Sequence, residues 1–274
     1  MSSKQSLFNF YLNNNRNIFL KFLIKTITFA FLLAVFLSGQ TAIAQAPHIQ
    51  MLAGLSKPPF IISTQDKGMQ LEIIKAAFAV SNRQVHFTYL PLSRHIDVYK
   101  KRNIEGLITL SENETEIGLH LSQPYITYTN VVVTLKNKQL DIKGIDDLVD
   151  RRVASFQNAT KFLGKKYKKV FLHSNSYLEL ADQKSQLSLL FSGRVEAIIL
   201  DVNIFKYFLN ELIEETDNDV FEQPFVMHKI FKPQMYVAGF NSEILQKSFD
   251  KGLETIKQNG RYQDIIDSYT STIY

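Results

Sequence analysis

HIQMLAGLSKPPFIISTQDKGMQLEIIKAAFAVSNRQVHFTYLPLSRHIDVYKKRNIEGLITL, residues 48–110, reads as strand, helix, strand, helix, strand. His48–Leu55 is a β-rich apolar run. Lys57-Pro58-Pro59-Phe60 stops it, because proline lacks the N–H that a central strand or a helix interior needs. Gly68 then opens a helix in which Leu71, Ile74, Ala77 and Phe78 form an apolar stripe about 100° wide. Val85–Leu90 alternates as a strand does, Ser93 is placed to cap a helix through Lys100, and Ile104–Leu110 is strand-like again. The economical solution is a parallel sheet with right-handed crossovers.

The chain beyond this unit repeats its grammar without repeating its sequence. Tyr128–Leu135 is a β-branched run long enough to cross between two bodies, Ile145–Val149 fits a short helix and Arg152–Phe156 a strand. Tyr177–Ser192 reads as one helix, with Leu180, Leu187, Leu190 and Phe191 on a face and Gly193 as its C-cap. Val195–Leu200 is an apolar strand ending at Asp201, and Ile204–Leu212 a helix. After Lys232-Pro233, Met235–Phe240 looks like a return strand, and Ser242–Lys257 and Tyr262–Tyr269 close the chain as helices. Two such units in about 230 residues suggest two lobes of about 115 each.

Upstream, the charge is segregated. Lys4, Arg16, Lys21 and Lys25 are the only charged residues in 1–44, so 27 basic face 26 acidic residues in the rest despite a pI of 9.1. That near-neutral body offers no electrostatic case for nucleic acid. Lys21 and Lys25 precede the apolar run Ile27–Leu37, and Ala42-Ile43-Ala44 supplies the small residues of a cleavage site. The expectation is a signal peptide, 1–44, cleaved near Ala44, and a periplasmic product. A retained anchor is the alternative, although Thr26–Gly39 falls short of the ~20 apolar residues a span requires. With 45% hydrophobic and 21% charged residues the chain is not disordered, and zero cysteines exclude a disulfide scaffold and thiol chemistry.

Five pieces, in order, carry a resemblance: Lys57-Pro58-Pro59-Phe60; Gly68 with Glu72; Leu121-Ser122-Gln123-Pro124-Tyr125; Gly193-Arg194-Val195-Glu196-Ala197 leading to Asp201; and Asn259-Gly260-Arg261-Tyr262 with Ile265 and Tyr269. From Ile49 to about Tyr269 the chain resembles the family 3 extracellular solute-binding proteins. The resemblance implies the α/β type II periplasmic-binding-protein clamshell, each lobe a mainly parallel sheet flanked by helices, with two hinge strands. Lobe 1 would comprise 45–128 and 233–274, and lobe 2 residues 129–232. It implies capture of a small polar, amino-acid-like or amine-bearing solute between the lobes. Delivery to an ABC permease is the first expectation, sensing for a membrane receptor the second, and an exported enzyme on the same scaffold a distant third. A monomer without cofactor or metal is expected.

The resemblance also places the site. Phe60 would pack on the ligand, or serve as an ordinary core phenylalanine. The family's carboxylate-binding Arg is replaced here by Thr115, within Glu112-Asn113-Glu114-Thr115, with Ser111 just ahead of it. Arg94, after Pro91-Leu92-Ser93, is the candidate substitute. On the lobe 2 side, Ala159 and Thr160 follow Asn158 at a helix start, where backbone amides can donate to an anion or the side chains simply cap. Asp201 matches the residue that receives the ligand's ammonium, with capping of the next helix as the alternative. Tyr89, Tyr125 and Tyr128 are candidate aromatic walls. The six histidines show no zinc spacing, and neither a Gly-x-Ser-x-Gly nor a phosphate loop is present.

Overall fold

The computed structural model describes residues 48–111, 118–216 and 219–270. In chain order these form β1 (His48–Ala53), α1 (Met69–Ala79), β2 (Gln84–Tyr89), α2 (His95–Lys101), β3 (Gly106–Leu110), β4 (His120–Leu121), β5 (Ile126–Tyr128) and β6 (Asn130–Leu135). Then come β7 (Val153–Phe156), α3 (Ala159–Phe162), α4 (Lys165–Phe171), β8 (Tyr177–Leu180), α5 (Lys184–Phe191), β9 (Ala197–Asp201) and α6 (Val202–Glu215). β10 (Phe225–His228), β11 (Gln234–Phe240), α7 (Glu243–Gln258) and α8 (Arg261–Thr270) complete it.

Two sheets result. One runs β2-β1-β3-β11-β4 with β5 also on β11; the other runs β10-β6-β9-β7-β8. The βαβ units are parallel as the sequence predicts: β1 pairs with β2 and β3, and β7 with β8 and β9. The expectation of mainly parallel sheets needs correcting. β11 is antiparallel to β3, β4 and β5, and β6 is antiparallel to β9 and β10. Strands that carry the chain from one sheet to the other run against the local units, so both sheets are mixed. The crossings lie side by side, since Tyr128 pairs with Gln234 just before Asn130 opens β6.

A second correction concerns 177–192. Tyr177–Leu180 is a strand in register with Val153–Phe156, and the helix begins only at Lys184. Asp182 ends the strand by accepting from Lys184 N (3.0 Å) and Ser185 Oγ (2.5 Å). The apolar spacing from Leu180 to Leu187 spans this turn and imitates one helical face.

Lobe packing fixes the loops that matter. α1 buries Leu71, Ile74, Ala77 and Phe78, the predicted stripe, against α7. The backbones meet at Gly252, where a Cβ would lie 2.0 Å from the Ala77 carbonyl oxygen. Lys57 N donates to Ile61 O (2.7 Å), closing a tight turn around the two prolines. Met69 N and Gln70 N donate to Pro59 O and Phe60 O, so the turn caps α1. Gly68 permits this, with φ +120° and no room for a Cβ, which would meet Phe60 O at 2.5 Å. The closing helix returns to the same place. The Tyr269 hydroxyl donates to Glu72 (2.6 Å) and accepts from Gly68 N (2.9 Å), and Tyr262 donates to Tyr125 O (2.9 Å). Ser122 stitches β11 through Ala238 N (2.9 Å). No helix among the described residues is long and apolar enough to cross a membrane.

Candidate functional site

The turn at 57–60 sits at the C-terminal end of β1, where open α/β sheets bind ligands. Phe60 is fully buried, its ring 3.9 Å from that of Tyr128, the last residue of β5. The Lys57 ammonium lies 4.6 Å from the centre of the same Tyr128 ring. Below them Gln70, also fully buried, joins both hinge tyrosines. Tyr128 OH donates to Gln70 Oε1 (3.1 Å), and Gln70 Nε2 donates to Tyr125 OH (2.9 Å) and Thr109 Oγ1 (3.0 Å). Burial pushes the Tyr125 and Tyr128 phenols up, so both stay neutral. Thr109 holds φ +64°, a strained backbone for a β-branched residue, at the strand end leading to Ser111.

Across the hinge, Asp201 ends β9 and is 2% exposed. Its carboxylate accepts from Thr129 N (2.6 Å), Asn203 N (2.8 Å) and Ile204 N (3.3 Å). It therefore caps α6 and ties that cap to the linker between β5 and β6. Burial pushes its pKa up to about 6, against the pull of the three N–H groups and the Lys57 charge. Lys57 feels the reciprocal field. Crowding of its ammonium lowers its pKa, and the Asp201 charge opposes the shift. The residue as a whole is exposed.

A second carboxylate, Glu179 of β8, occupies the start of α3. It accepts from Asn158 N (2.7 Å), Thr160 N (2.9 Å), Thr160 Oγ1 (2.9 Å) and Tyr177 OH (3.0 Å). Burial pulls its pKa up, but these hydrogen bonds win and hold it below the ordinary value. The amides foreseen as ligand donors are thus filled by the chain's own anion.

The predicted site residues divide accordingly. Phe60 and Asp201 come to one corner through Tyr128, Thr129 and Lys57. Ala159 is buried, and Thr160 is half-buried with its donors on Glu179. Ser111 is half-buried beyond β3, and Thr115 lies outside the described residues. Arg94 is exposed, and among the described residues its side chain makes no hydrogen bond or ion pair. Ser93 does not cap α2, because residues 92–94 form a short 3-10 turn instead. His95 is buried between the Ala53 and Leu90 carbonyls, an ordinary core histidine. Lys57, Gln70 and Glu179 were not singled out as site residues. Lys57 carried a signal, a lone cation before two prolines at a strand end; Glu179 and Gln70 depend on partners distant in sequence. A hollow of about 590 Å³ opens elsewhere, between Lys67 and Glu72 on one side and Tyr207 and Glu214 on the other, touching none of the predicted site residues. No group of three or more His, Cys, Asp or Glu among the described residues has metal-ligand spacing.

Comparison with known proteins meets this geometry. Residues 49–272 match the family described as bacterial extracellular solute-binding proteins, family 3. The arginine-binding periplasmic protein of Mannheimia haemolytica is 25% identical over 253 residues, covering 86% of this chain and 97% of that protein. Among solved structures, an ancestral cationic amino acid solute-binding protein aligns with TM-score 0.63 at 16% identity, covering 81% of this chain and 95% of the other. A polar amino acid ABC uptake transporter substrate-binding protein from Streptococcus thermophilus aligns with TM-score 0.60 at 17% identity, covering 82% and 86%. The two mixed sheets, their paired crossings and the corner at Tyr128–Thr129 are therefore a type II periplasmic-binding-protein fold, and the chain belongs to the bacterial extracellular solute-binding proteins of family 3.

Proposed function

We propose that the protein captures an amino-acid-like solute between its lobes and delivers it to an ABC importer. The observation that carries this reading is the meeting of both lobes at the hinge. Phe60 from one lobe packs on Tyr128, and Asp201 from the other binds the backbone of Thr129. A solute held there touches the residues that rotate, so its binding energy biases the open–closed equilibrium. The names carried by the relatives, arginine and polar amino acids, point to the same ligand class.

In this reading Phe60 and Asp201 form the centre of the site, Ser111 its first-lobe rim, and Ala159 and Thr160 its second-lobe rim, with Thr115, outside the described residues, a further candidate. Arg94, exposed at the start of α2, is a further candidate cation. The protein works as a monomer in the periplasm after loss of residues 1–44, and binds without turnover.

Thermal unfolding of the purified protein against arginine, histidine, glutamate, putrescine, succinate and glucose tests it. A true ligand at a hundredfold excess over its Kd stabilises the protein by about 2.7 kcal/mol, several degrees for a chain of this size. The expected result is a shift with at least one amino acid and none with glucose. A flat response across the panel, or chemical conversion of the solute, overturns the reading.

A further inference from the structure

We infer that Lys57 is the anion-binding group of the cleft, the cation that takes the ligand's carboxylate where the sequence has Thr115 in place of arginine. The inference rests on the solute-binding reading above and adds to it the residue and the ligand group.

Among the described residues, the other polar groups placed at the corner already have protein partners. The Asp201 carboxylate holds three backbone N–H groups. The amides of Asn158 and Thr160 are taken by Glu179. Gln70 is saturated by Thr109 and the two hinge tyrosines. Lys57 stands apart. Its backbone is locked in the prolyl turn, and its ammonium rests on the Tyr128 ring. Yet among the described residues Lys57 Nζ makes no hydrogen bond, and no carboxylate lies within 4 Å of it. Asp201 acts on Lys57 through its field, while three of its acceptor positions go to backbone N–H groups.

An ammonium carries three donors and no acceptor, and among the described residues no protein group takes any of the three from Lys57. The aromatic face contributes attraction to the charge but accepts none of the three N–H bonds in full. A carboxylate answers both needs, with charge and with acceptor oxygens, through a short charge-assisted bond. Its seat on Tyr128, beside Phe60 and the hinge, gives Lys57 a position from which a bound anion reaches the moving parts. The Asp201 charge acts on Lys57 through its field, so a ligand bringing a carboxylate to Lys57 also finds an opposite charge that favours an amine.

The test compares arginine with argininamide, histidine with histidinamide, and succinate with putrescine, by calorimetry on wild-type protein, Lys57→Met and Lys57→Arg. Met keeps the length of the stem on the ring and removes the charge. The expected result is that wild type prefers each carboxylate over its amide, that Lys57→Met loses at least tenfold on the carboxylates and the preference with it, and that Lys57→Arg retains the preference. As pH is raised above neutral, where Asp201 and succinate both stay ionised, succinate affinity should fall as Lys57 deprotonates; this arm needs no variant and stands even if Lys57→Met fails to fold. Equal carboxylate affinity in wild type and Lys57→Met overturns the inference and leaves the solute-binding reading intact. So does wild-type binding of putrescine alone. Binding of nothing in the panel overturns both.

Discussion

Glu179 and Asp201 are two carboxylates of one lobe, each at the start of a helix and each accepting backbone N–H bonds, yet their pKa values move in opposite directions. Glu179 has four donors and a partly wet environment, and is held low. Asp201 has three donors and almost no exposure, and is pushed up to about 6. Hydrogen bonding alone therefore does not set the charge state; desolvation decides between the two. Glu179 serves the lobe's internal order. Asp201 bonds across to Thr129 and so holds the hinge at an electrostatic cost.

The sharpest way to break this contrast is to remove each carboxylate. Asp201→Ala strips the α6 cap, about 1 kcal/mol, and leaves the half-buried Thr129 N–H without its acceptor, about 1–3 kcal/mol. A loss of about 3 kcal/mol is expected in urea unfolding at pH 5, with no change in slope. A loss below 1 kcal/mol would mean that water or a shifted backbone replaces the carboxylate.

The pH dependence separates the two more finely. A carboxylate raised in the folded state takes up protons on folding, so its contribution improves as pH falls through about 6 and levels off near the unfolded value of 3.8. Measured as wild type minus Asp201→Asn, stability should rise by about 2 kcal/mol between pH 7 and 4.5. Glu179 is lowered, so its stabilising contribution is present above its ordinary value of 4.5 and fades as pH falls through the folded pKa. The wild-type advantage over Glu179→Gln should therefore be about 1 kcal/mol at pH 7, the scale of a helix cap, and shrink in acid. Two differences of the same sign would dissolve the distinction.

The contrast also marks what the sequence made legible. Local periodicity exposed the first βαβαβ unit, because apolar spacing, proline and glycine act within a few residues of themselves. It failed at 177–180, where the strand takes its register from Val153–Phe156, and in strand direction, which depends on the path between lobes. Asp201 was legible because a strand-end acid before a helix has few other uses. Glu179 was not, since its partners lie 19 and 21 residues away. Nor was the left-handed Thr109, a conformation that threonine disfavours and that only Gln70 and its neighbours explain. The site was legible where one residue's chemistry sufficed, and hidden where a pair was needed.

The smallest expected effect belongs to Arg94, which opposes Lys57 as the candidate cation. Arg94 is exposed with its side chain unpaired among the described residues, so Arg94→Ala should change stability by less than about 0.5 kcal/mol. If Lys57 supplies the anion contact, the same variant should also leave the carboxylate-over-amide preference unchanged in calorimetry. A tenfold loss in Arg94→Ala would make Arg94, not Lys57, the partner of the carboxylate. Lys57 lies over the Tyr128 ring at the hinge, whereas Arg94 has no such contact among the described residues, and that placement is what separates the two cations physically.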